Sequence, residues 1–178
     1  MGEFMTEITR SLIFGRFQPF HMGHLKVVEW ALDDFEELVI LIGMADESHT
    51  LRNPFTAGER IWMIREALKS EGVDLSRIIT ATVPTMSIYV GNAYYIIKLV
   101  PEIKTLITRN PVIGQVFRGA GVEVIEPPTF SREVYRGKVI REKILREERW
   151  EDLVPKKVAE IIKKIDGVER IRVAGYRD

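Results

Sequence analysis

Short apolar runs alternate with segments of helical periodicity along most of the chain. The runs are rich in Ile, Leu and Val and predict strands over 11–15, 38–43, 78–83, 104–108 and 122–125. Between them, apolar residues recur every three or four positions, which predicts helices over 23–33, 56–69, 89–100 and 112–118. Thr56 is followed three residues later by Glu59, the pattern of a capping box at a helix start.

Strands that alternate with helices in this way are typical of a parallel sheet covered on both faces. The expected fold is therefore α/β, a right-handed doubly wound sheet of about five strands. Helices over 136–147 and 155–165 follow the last strand, with Pro155 at a first helical position and Gly167 as a stop. We expect one domain over 11–178 and an N-terminal extension over 1–10. Its first four residues precede a second methionine and are interpreted as a cloning remnant.

Composition narrows the classes of function. The chain has 178 residues, 46% hydrophobic and 29% charged, as expected for a globular domain. Its 26 basic and 26 acidic residues cancel, which argues against a nucleic-acid coat and a polybasic membrane binder. No apolar run is long enough to span a bilayer and no signal core precedes the first strand. The absence of cysteine suits a reducing compartment, so we expect a cytoplasmic protein without nucleic-acid or membrane partners.

Charge is distributed unevenly along the chain. Residues 131–178 include 14 basic and 10 acidic side chains, whereas the first 130 include 12 and 16. This asymmetry fits either ordinary solvated helix faces or a basic edge that meets phosphates.

The segment between the first strand and the first helix carries the candidate chemistry. It reads Gly15-Arg16-Phe17-Gln18-Pro19-Phe20-His21-Met22-Gly23-His24. A helix that begins beyond the carboxyl end of a parallel strand offers free N–H groups to phosphate. His21 and His24 lie three apart at that start, so their imidazoles can point the same way and donate to a phosphate whose charge grows during reaction. The chain has one other histidine and no cysteine, so we predict no metal ligands.

This segment resembles the motif of the nucleotidylyltransferase superfamily that ends in His-x-Gly-His, in the form found in archaeal nicotinamide-nucleotide adenylyltransferases. The resemblance extends to 48–60, to Asn110-Pro111, to 150–155 and to 167–170. It implies a Rossmann-like fold and a homo-oligomer, a hexamer in many archaeal members. The implied reaction is attack of a mononucleotide 5′-phosphate on the α-phosphorus of ATP, with Mg²⁺ carried by ATP and pyrophosphate leaving.

The resemblance also assigns roles. The catalytic residues would be His21, His24 and Arg141. ATP and its phosphates would be held by Gly15, Arg16, Phe17, Gly23, Arg52, Asn110 and Lys138. The acceptor, nicotinamide mononucleotide, would be bound by Tyr89 and Arg109.

Three positions depart from the family pattern. The family has an acidic residue after the third strand and then an Asn-Ala-x-Trp run that receives the nicotinamide ring, whereas no acidic residue occurs over 78–101 here. Tyr89 is the candidate replacement for the tryptophan. Arg109 replaces a glycine before Asn110, and Lys138 replaces a hydroxyl residue three positions before Arg141.

These departures leave alternatives open. One is a related enzyme with another acceptor, flavin mononucleotide or phosphopantetheine, or with CTP as donor. Another is a nucleotide-binding homologue without turnover. A fragment of a class I aminoacyl-tRNA synthetase is disfavoured, because the chain is short and lacks a second motif of that class.

Overall fold

The computed structural model describes residues 8–87, 89–131 and 133–176. Within these ranges it contains a five-stranded sheet and seven α-helices. The strands are β1 (Arg10–Gly15), β2 (Glu37–Ile42), β3 (Ile78–Thr82), β4 (Thr105–Ile107) and β5 (Glu123–Ile125). The helices are α1 (Met22–Asp34), α2 (Ala57–Ser70), α3 (Val90–Leu99), α4 (Pro111–Gly119), α5 (Gly137–Leu145), α6 (Lys156–Lys164) and α7 (Gly167–Gly175). The interpreted cloning remnant lies outside the described residues, as does Ile88 in the stretch that departs from the family pattern.

All strands run parallel, in the order β3-β2-β1-β4-β5. β1 lies at the centre, with Gly15 beside Ile42 of β2 and Ile13 beside Ile107 of β4. The chain moves outward from β1 in one direction and then returns to build the other half of the sheet. The predicted doubly wound α/β fold is therefore confirmed.

Two apolar cores cover the two faces of the sheet. On one face Ile40 packs with Leu25 of α1 and Ile64 of α2, and α5, α6 and α7 extend this core. On the other face Leu41 belongs to the core that includes Ala93 of α3 and Phe117 of α4. Successive β2 residues thus face opposite cores, and both must be apolar because each face is covered. This explains the continuous apolar run in the sequence.

Helix caps bear out part of the sequence pattern. The capping box at α2 is present: Thr56 Oγ1 accepts the backbone N–H of Glu59 at 3.2 Å, and the Glu59 carboxylate accepts that of Thr56 at 2.9 Å. The predicted role of Gly167 as a stop is wrong. Gly167 begins α7, and a Cβ there would lie 2.8 Å from the Phe55 ring and 2.9 Å from the Ile162 carbonyl oxygen. Glycine is needed for this close approach between helices.

Among the residues that the structure describes, no helix combines the length and apolar composition needed to cross a bilayer.

Candidate active site

Two neighbouring cavities lie at the carboxyl ends of the strands. We call the larger, of about 560 Å³, the histidine cavity, because His21 and His24 line it together with the start of α5 and the loop after β5. The smaller, of about 340 Å³, is the tyrosine cavity, which Tyr89 lines with parts of α3 and α4. Four residues line both cavities: Phe14, Arg16, Thr108 and Asn110. The two cavities therefore adjoin at these residues.

The sheet topology explains this position. β1 pairs with β2 on one side and with β4 on the other, so the loops that leave β1 and β4 diverge to opposite faces. In open parallel sheets a crevice forms at such a switch point, beyond the carboxyl ends of the strands. Arg16 follows β1 and Thr108 follows β4, which places both at the junction of the cavities.

His21 and His24 form a reciprocal capping box at the start of α1. His21 Nδ1 accepts the backbone N–H of His24, and His24 Nδ1 accepts the backbone N–H of His21, each at 3.3 Å. The two rings stack with centroids 3.5 Å apart and planes inclined by 16°. Phe20 stacks on His24 from the neighbouring position, at 5.5 Å between centroids. The motif histidines are thus held rigidly by the helix start itself.

The capping box decides which ring nitrogen carries the proton. Each Nδ1 accepts an N–H, so the proton of a neutral ring resides on Nε2. Burial lowers the pKa of His21 to about 4. Burial, and then the proximity of His21, lower the pKa of His24 well below its ordinary value. At neutral pH both side chains are therefore uncharged Nε2–H donors on the wall of the histidine cavity.

Helix N-termini converge on the histidine cavity. α1 contributes His21 and Gly23, α4 contributes its N-cap residue Asn110, and α5 contributes Gly137 and Lys138. The first N–H groups of a helix lie at the positive end of the helix dipole. Side chains cap some of these groups in α1 and α4, whereas those of α5 have no side-chain cap. Their convergence favours an anion such as phosphate.

Three arginines lie near one another and add positive charge around the two cavities. Arg52 is near enough to Arg16 for its charge to lower the pKa of the Arg16 guanidinium, after the larger effect of burial. Burial first, and then the charges of Arg16 and Arg52, lower the pKa of Arg141 to about 10. An anion that binds between like charges relieves their repulsion. The planar guanidinium of arginine can donate two parallel hydrogen bonds to phosphate oxygens.

Comparison with known proteins identifies the family. The model of the cytidylyltransferase-like family matches residues 12–151. The chain belongs to the cytidylyltransferase-like family of nucleotidyltransferases. A protein from Archaeoglobus fulgidus, described as uncharacterized, is 68% identical over 98% of this chain and 100% of its own length. A nicotinamide-nucleotide adenylyltransferase from Ignicoccus hospitalis is 46% identical over 95% of this chain and 99% of its own. The resemblance drawn from the motif is thereby confirmed.

Solved structures confirm the Rossmann-like fold of this nucleotidyltransferase. A bifunctional NMN adenylyltransferase/ADP ribose pyrophosphatase from Francisella tularensis, complexed with AMP and a manganese ion, superposes with a TM-score of 0.75. It is 20% identical, and the match covers 96% of this chain and 54% of that one. The nucleotidyltransferase thus spans about half of that two-activity protein.

The structure brings most of the predicted site residues of the nucleotidyltransferase to the two cavities. The histidine cavity is lined by Arg16, Phe17, His21, Gly23, His24, Asn110 and Lys138. The tyrosine cavity is lined by Gly15, Arg16, Arg52, Tyr89 and Asn110. Gly15 and Arg52 line only the tyrosine cavity, together with Tyr89, although the resemblance assigned them to ATP. Phe17 and Phe20 are buried, in agreement with a packing role.

Two of the predicted site residues, Arg109 and Arg141, donate hydrogen bonds to backbone carbonyl groups. Arg109 lies in the wall of the histidine cavity, not the tyrosine cavity, and its guanidinium donates to the carbonyl oxygen of Pro127. Its position gives no support to the acceptor-side assignment; instead it ties the loop after β5 to the end of β4. Arg141 is buried, lines neither cavity, and donates to the carbonyl oxygen of Gln18 within the motif loop. It therefore supports the histidine loop from behind.

Two carboxylates from the loop after β2 contact the segment after β3, which has none of its own. Asp46 and Glu47 follow β2, and both reach Thr85, which follows β3. Asp46 Oδ1 accepts the backbone N–H of Thr85 at 2.6 Å, and Glu47 Oε1 accepts its hydroxyl at 2.7 Å. These hydrogen bonds lower the pKa of Asp46. This contact could not be predicted from the sequence, because 39 positions separate Asp46 from Thr85.

The tyrosine cavity also includes residues of α3 that were not predicted from the sequence. Asn92 and Ala93 line the tyrosine cavity beside Tyr89. Asn92 Nδ2 donates to the carbonyl oxygen of Ser87, which fixes the loop that enters α3.

Stability should fall as pH drops below about 6.5, because of the buried histidines. The unfolded chain binds a proton at His21 near its ordinary pKa of 6.5, whereas the folded chain binds it near 4. Acid therefore favours the unfolded state across this interval, by about 2 to 3 kcal/mol for His21, and His24 adds to it in the same direction. Chemical denaturation at pH 7.5 and pH 4.5 measures the difference.

The variant His21→Asn serves as the matched comparison, because asparagine also caps helices but does not titrate. We expect a smaller loss of unfolding free energy between the two pH values in this variant. An equal loss of unfolding free energy in both proteins would contradict the attribution of this pH dependence to His21.

Proposed function

We propose that this nucleotidyltransferase transfers the AMP part of ATP to nicotinamide mononucleotide, giving NAD and pyrophosphate. The observation that carries the proposal is the meeting of two cavities at Arg16, one with the histidine pair and the other with Tyr89. Two substrates joined through phosphate need such a junction. The similarity to the nicotinamide-nucleotide adenylyltransferase from Ignicoccus hospitalis supports the choice of acceptor.

ATP would occupy the histidine cavity. Its phosphates would lie against the starts of α1 and α5, where His21, His24 and Lys138 supply donors. Asn110, the N-cap of α4, would lie toward the adenosine end. Mg²⁺ would enter as part of the substrate, bound to the triphosphate. Within the described residues no three His, Cys, Asp or Glu side chains form a cluster that could hold a metal ion.

The acceptor would occupy the tyrosine cavity, with its 5′-phosphate toward Arg16 and Arg52. Tyr89 offers a half-exposed aromatic face for the pyridine ring, beside Asn92. The loop that includes Thr85 walls this cavity through its neighbours Pro84 and Met86. Asp46 and Glu47 hold that loop in place by their hydrogen bonds to Thr85.

The reaction needs no covalent intermediate on the protein. An oxygen of the acceptor phosphate forms a bond to the α-phosphorus, and the bond from that phosphorus to the bridging oxygen breaks. Pyrophosphate leaves with the electron pair. The neutral Nε2–H groups of His21 and His24 donate to the α-phosphoryl oxygens, whose charge rearranges in the transition state. Arg16 aligns the two phosphates, so catalysis consists of positioning and charge stabilisation.

We also propose that the protein is a homo-oligomer, a hexamer as the family resemblance implies. Light scattering of the purified protein measures its mass directly. A monomeric mass would overturn this part of the proposal without affecting the reaction.

Pyrophosphate release from ATP and Mg²⁺ tests the proposed reaction. The acceptors are nicotinamide mononucleotide, nicotinic acid mononucleotide, flavin mononucleotide and phosphopantetheine, and CTP replaces ATP in a parallel series. We expect release with the nicotinamide nucleotide and NAD as the product. Release with another acceptor or donor alone would change the proposed substrate. ATP binding without release from any pair would favour a binding protein without turnover.

A further inference from the structure

Arg60 is a fully buried cation beneath the junction of the two cavities. Its exposed fraction is 0%, and it lies on α2, away from the motif loop in sequence. Nη1 donates to the carbonyl oxygens of Arg16 at 2.9 Å and Gly43 at 2.7 Å. Nη2 donates to the carbonyl oxygen of Met44 at 2.9 Å, and Nε to that of Thr56 at 3.2 Å. The guanidinium thus joins the segments that leave β1 and β2.

Two residues at or next to these carbonyl groups have left-handed backbone. Phe17, immediately after Arg16, has φ of 52°, and Met44 also has φ of 52°. Left-handed backbone at residues other than glycine is unfavourable and persists where surrounding contacts enforce it. Arg60 supplies such contacts on both segments at once. Gly43 and Met44 line the tyrosine cavity, whereas Phe17 lines the histidine cavity.

Carbonyl dipoles stabilise the charge of Arg60. Burial and then the charge of Arg16 lower its pKa to about 10, whereas the nearby carboxylates of Glu47 and Glu59 act in the opposite direction. In the described part of the chain, no carboxylate accepts a hydrogen bond from it. Burying an arginine is costly, and the four hydrogen bonds to carbonyl groups offset part of that cost. Arg60 differs from an arginine that only holds backbone in its position, because the segments that it joins line the two cavities.

We infer that Arg60 is a positioning residue for nucleotidyl transfer. It fixes the segments after β1 and β2 relative to each other, and so sets the distance between the phosphates held in the two cavities. It touches neither substrate and acts through the backbone of Arg16 and Met44. This inference rests on the proposed function, because it assigns one substrate to each cavity.

Arg77 provides a matched control. It also clamps backbone, donating to the carbonyl oxygens of Leu32, Phe35 and Glu36 at 2.7 to 2.8 Å. It precedes β3 and therefore lies at the opposite end of the sheet from both cavities. Loss of either arginine orphans several carbonyl groups and should lower the melting temperature. Only loss of Arg60 should disturb the junction.

The test compares Arg60→Met, Arg60→Lys and Arg77→Met with the unmodified protein, at a temperature where circular dichroism shows each to be folded. We expect Arg60→Met to lower kcat about 100-fold, with KM for ATP and for the acceptor each changed less than about 3-fold. Arg60→Lys retains the positive charge but loses the planar set of guanidinium donors, and it should lower kcat about 10-fold. Arg77→Met should keep kcat within about 2-fold. If Arg60→Met does not fold, the comparison of kcat between Arg60→Lys and Arg77→Met tests the inference.

Binding of the dinucleotide product provides a readout independent of turnover. NAD would span both cavities, whereas ATP occupies one. Calorimetry should show that Arg60→Lys and Arg60→Met weaken NAD binding at least about 10-fold more than ATP binding. Arg77→Met should weaken neither.

Several results would overturn the inference. Folded Arg60 variants whose kcat and NAD affinity match those of Arg77→Met would show a role in stability alone. An equal loss of ATP and NAD affinity would show damage to one cavity instead of the junction. A wrong choice of acceptor can be distinguished from a wrong inference about Arg60. In that case the unmodified protein releases pyrophosphate with another acceptor, and kcat of the variants is compared with that acceptor. A protein inactive with every acceptor would overturn both proposals.

Discussion

Replacing His24 by alanine should lower kcat about 100-fold or more, the loss typical of one donor aimed at transition-state charge. His24 lines the histidine cavity, and because its Nδ1 accepts a backbone N–H, its Nε2–H is the group left to donate to a substrate. Steady-state pyrophosphate release measures the effect. Loss of the capping bond should also cost about 1 kcal/mol of folding stability. Assays should therefore be run well below the melting temperature of the variant.

Two variants act as controls for His24→Ala. His24→Gln offers an amide N–H at similar reach and should recover part of kcat. His49→Ala removes the remaining histidine of the chain, which is exposed and lines neither cavity. It should keep kcat within about 2-fold, because exposed side chains away from a site contribute little. Full activity in His24→Ala would remove the histidine pair from the proposed chemistry.

Replacing Arg16 by methionine should raise KM for both substrates and lower kcat, reducing kcat/KM about 1000-fold with either substrate varied. Arg16 lines both cavities, and its Nη1 also donates to the side-chain oxygen of Asn53 at 3.3 Å. Methionine keeps the length of the side chain but has no charge. Initial-rate kinetics, with ATP and the acceptor varied in turn, measure both constants.

Arg146→Met is the matched control for Arg16. Arg146 is exposed at the end of α5 and lines neither cavity, so its loss should leave both constants unchanged within about 2-fold. Arg16→Lys should fall between the unmodified protein and Arg16→Met, because lysine keeps the charge and loses the fork. A rise in KM for one substrate alone would place Arg16 in one cavity and contradict the junction.

Local sequence patterns predicted most of the fold because their causes are local. The β2 segment is apolar at successive positions because both faces of a parallel strand are buried, and this run is visible without any structure. The Thr56 and Glu59 pair marks a helix start because both partners lie within one turn. The reciprocal cap of His21 and His24 has the same spacing, yet it was not predicted, since histidine is an uncommon capping residue.

Gly167 shows where a local rule fails. A glycine after a helical segment is often a stop, but here the residue begins α7 and allows it to approach Phe55 and Ile162. Gly167 and Phe55 lie more than 100 positions apart in the sequence. Periodicity cannot report such a contact.

By itself, the sequence determined the order of strands and helices, the doubly wound class and the histidine loop at the first helix start. Those features depend on residues a few positions apart. Only the tertiary structure decided which side chains share a cavity. It placed Arg109 against Pro127, brought Asp46 to Thr85 and set Arg60 under the junction. Parallel strands bring their carboxyl ends together from distant parts of the chain, so the chemistry at that edge is fixed by strand order and packing.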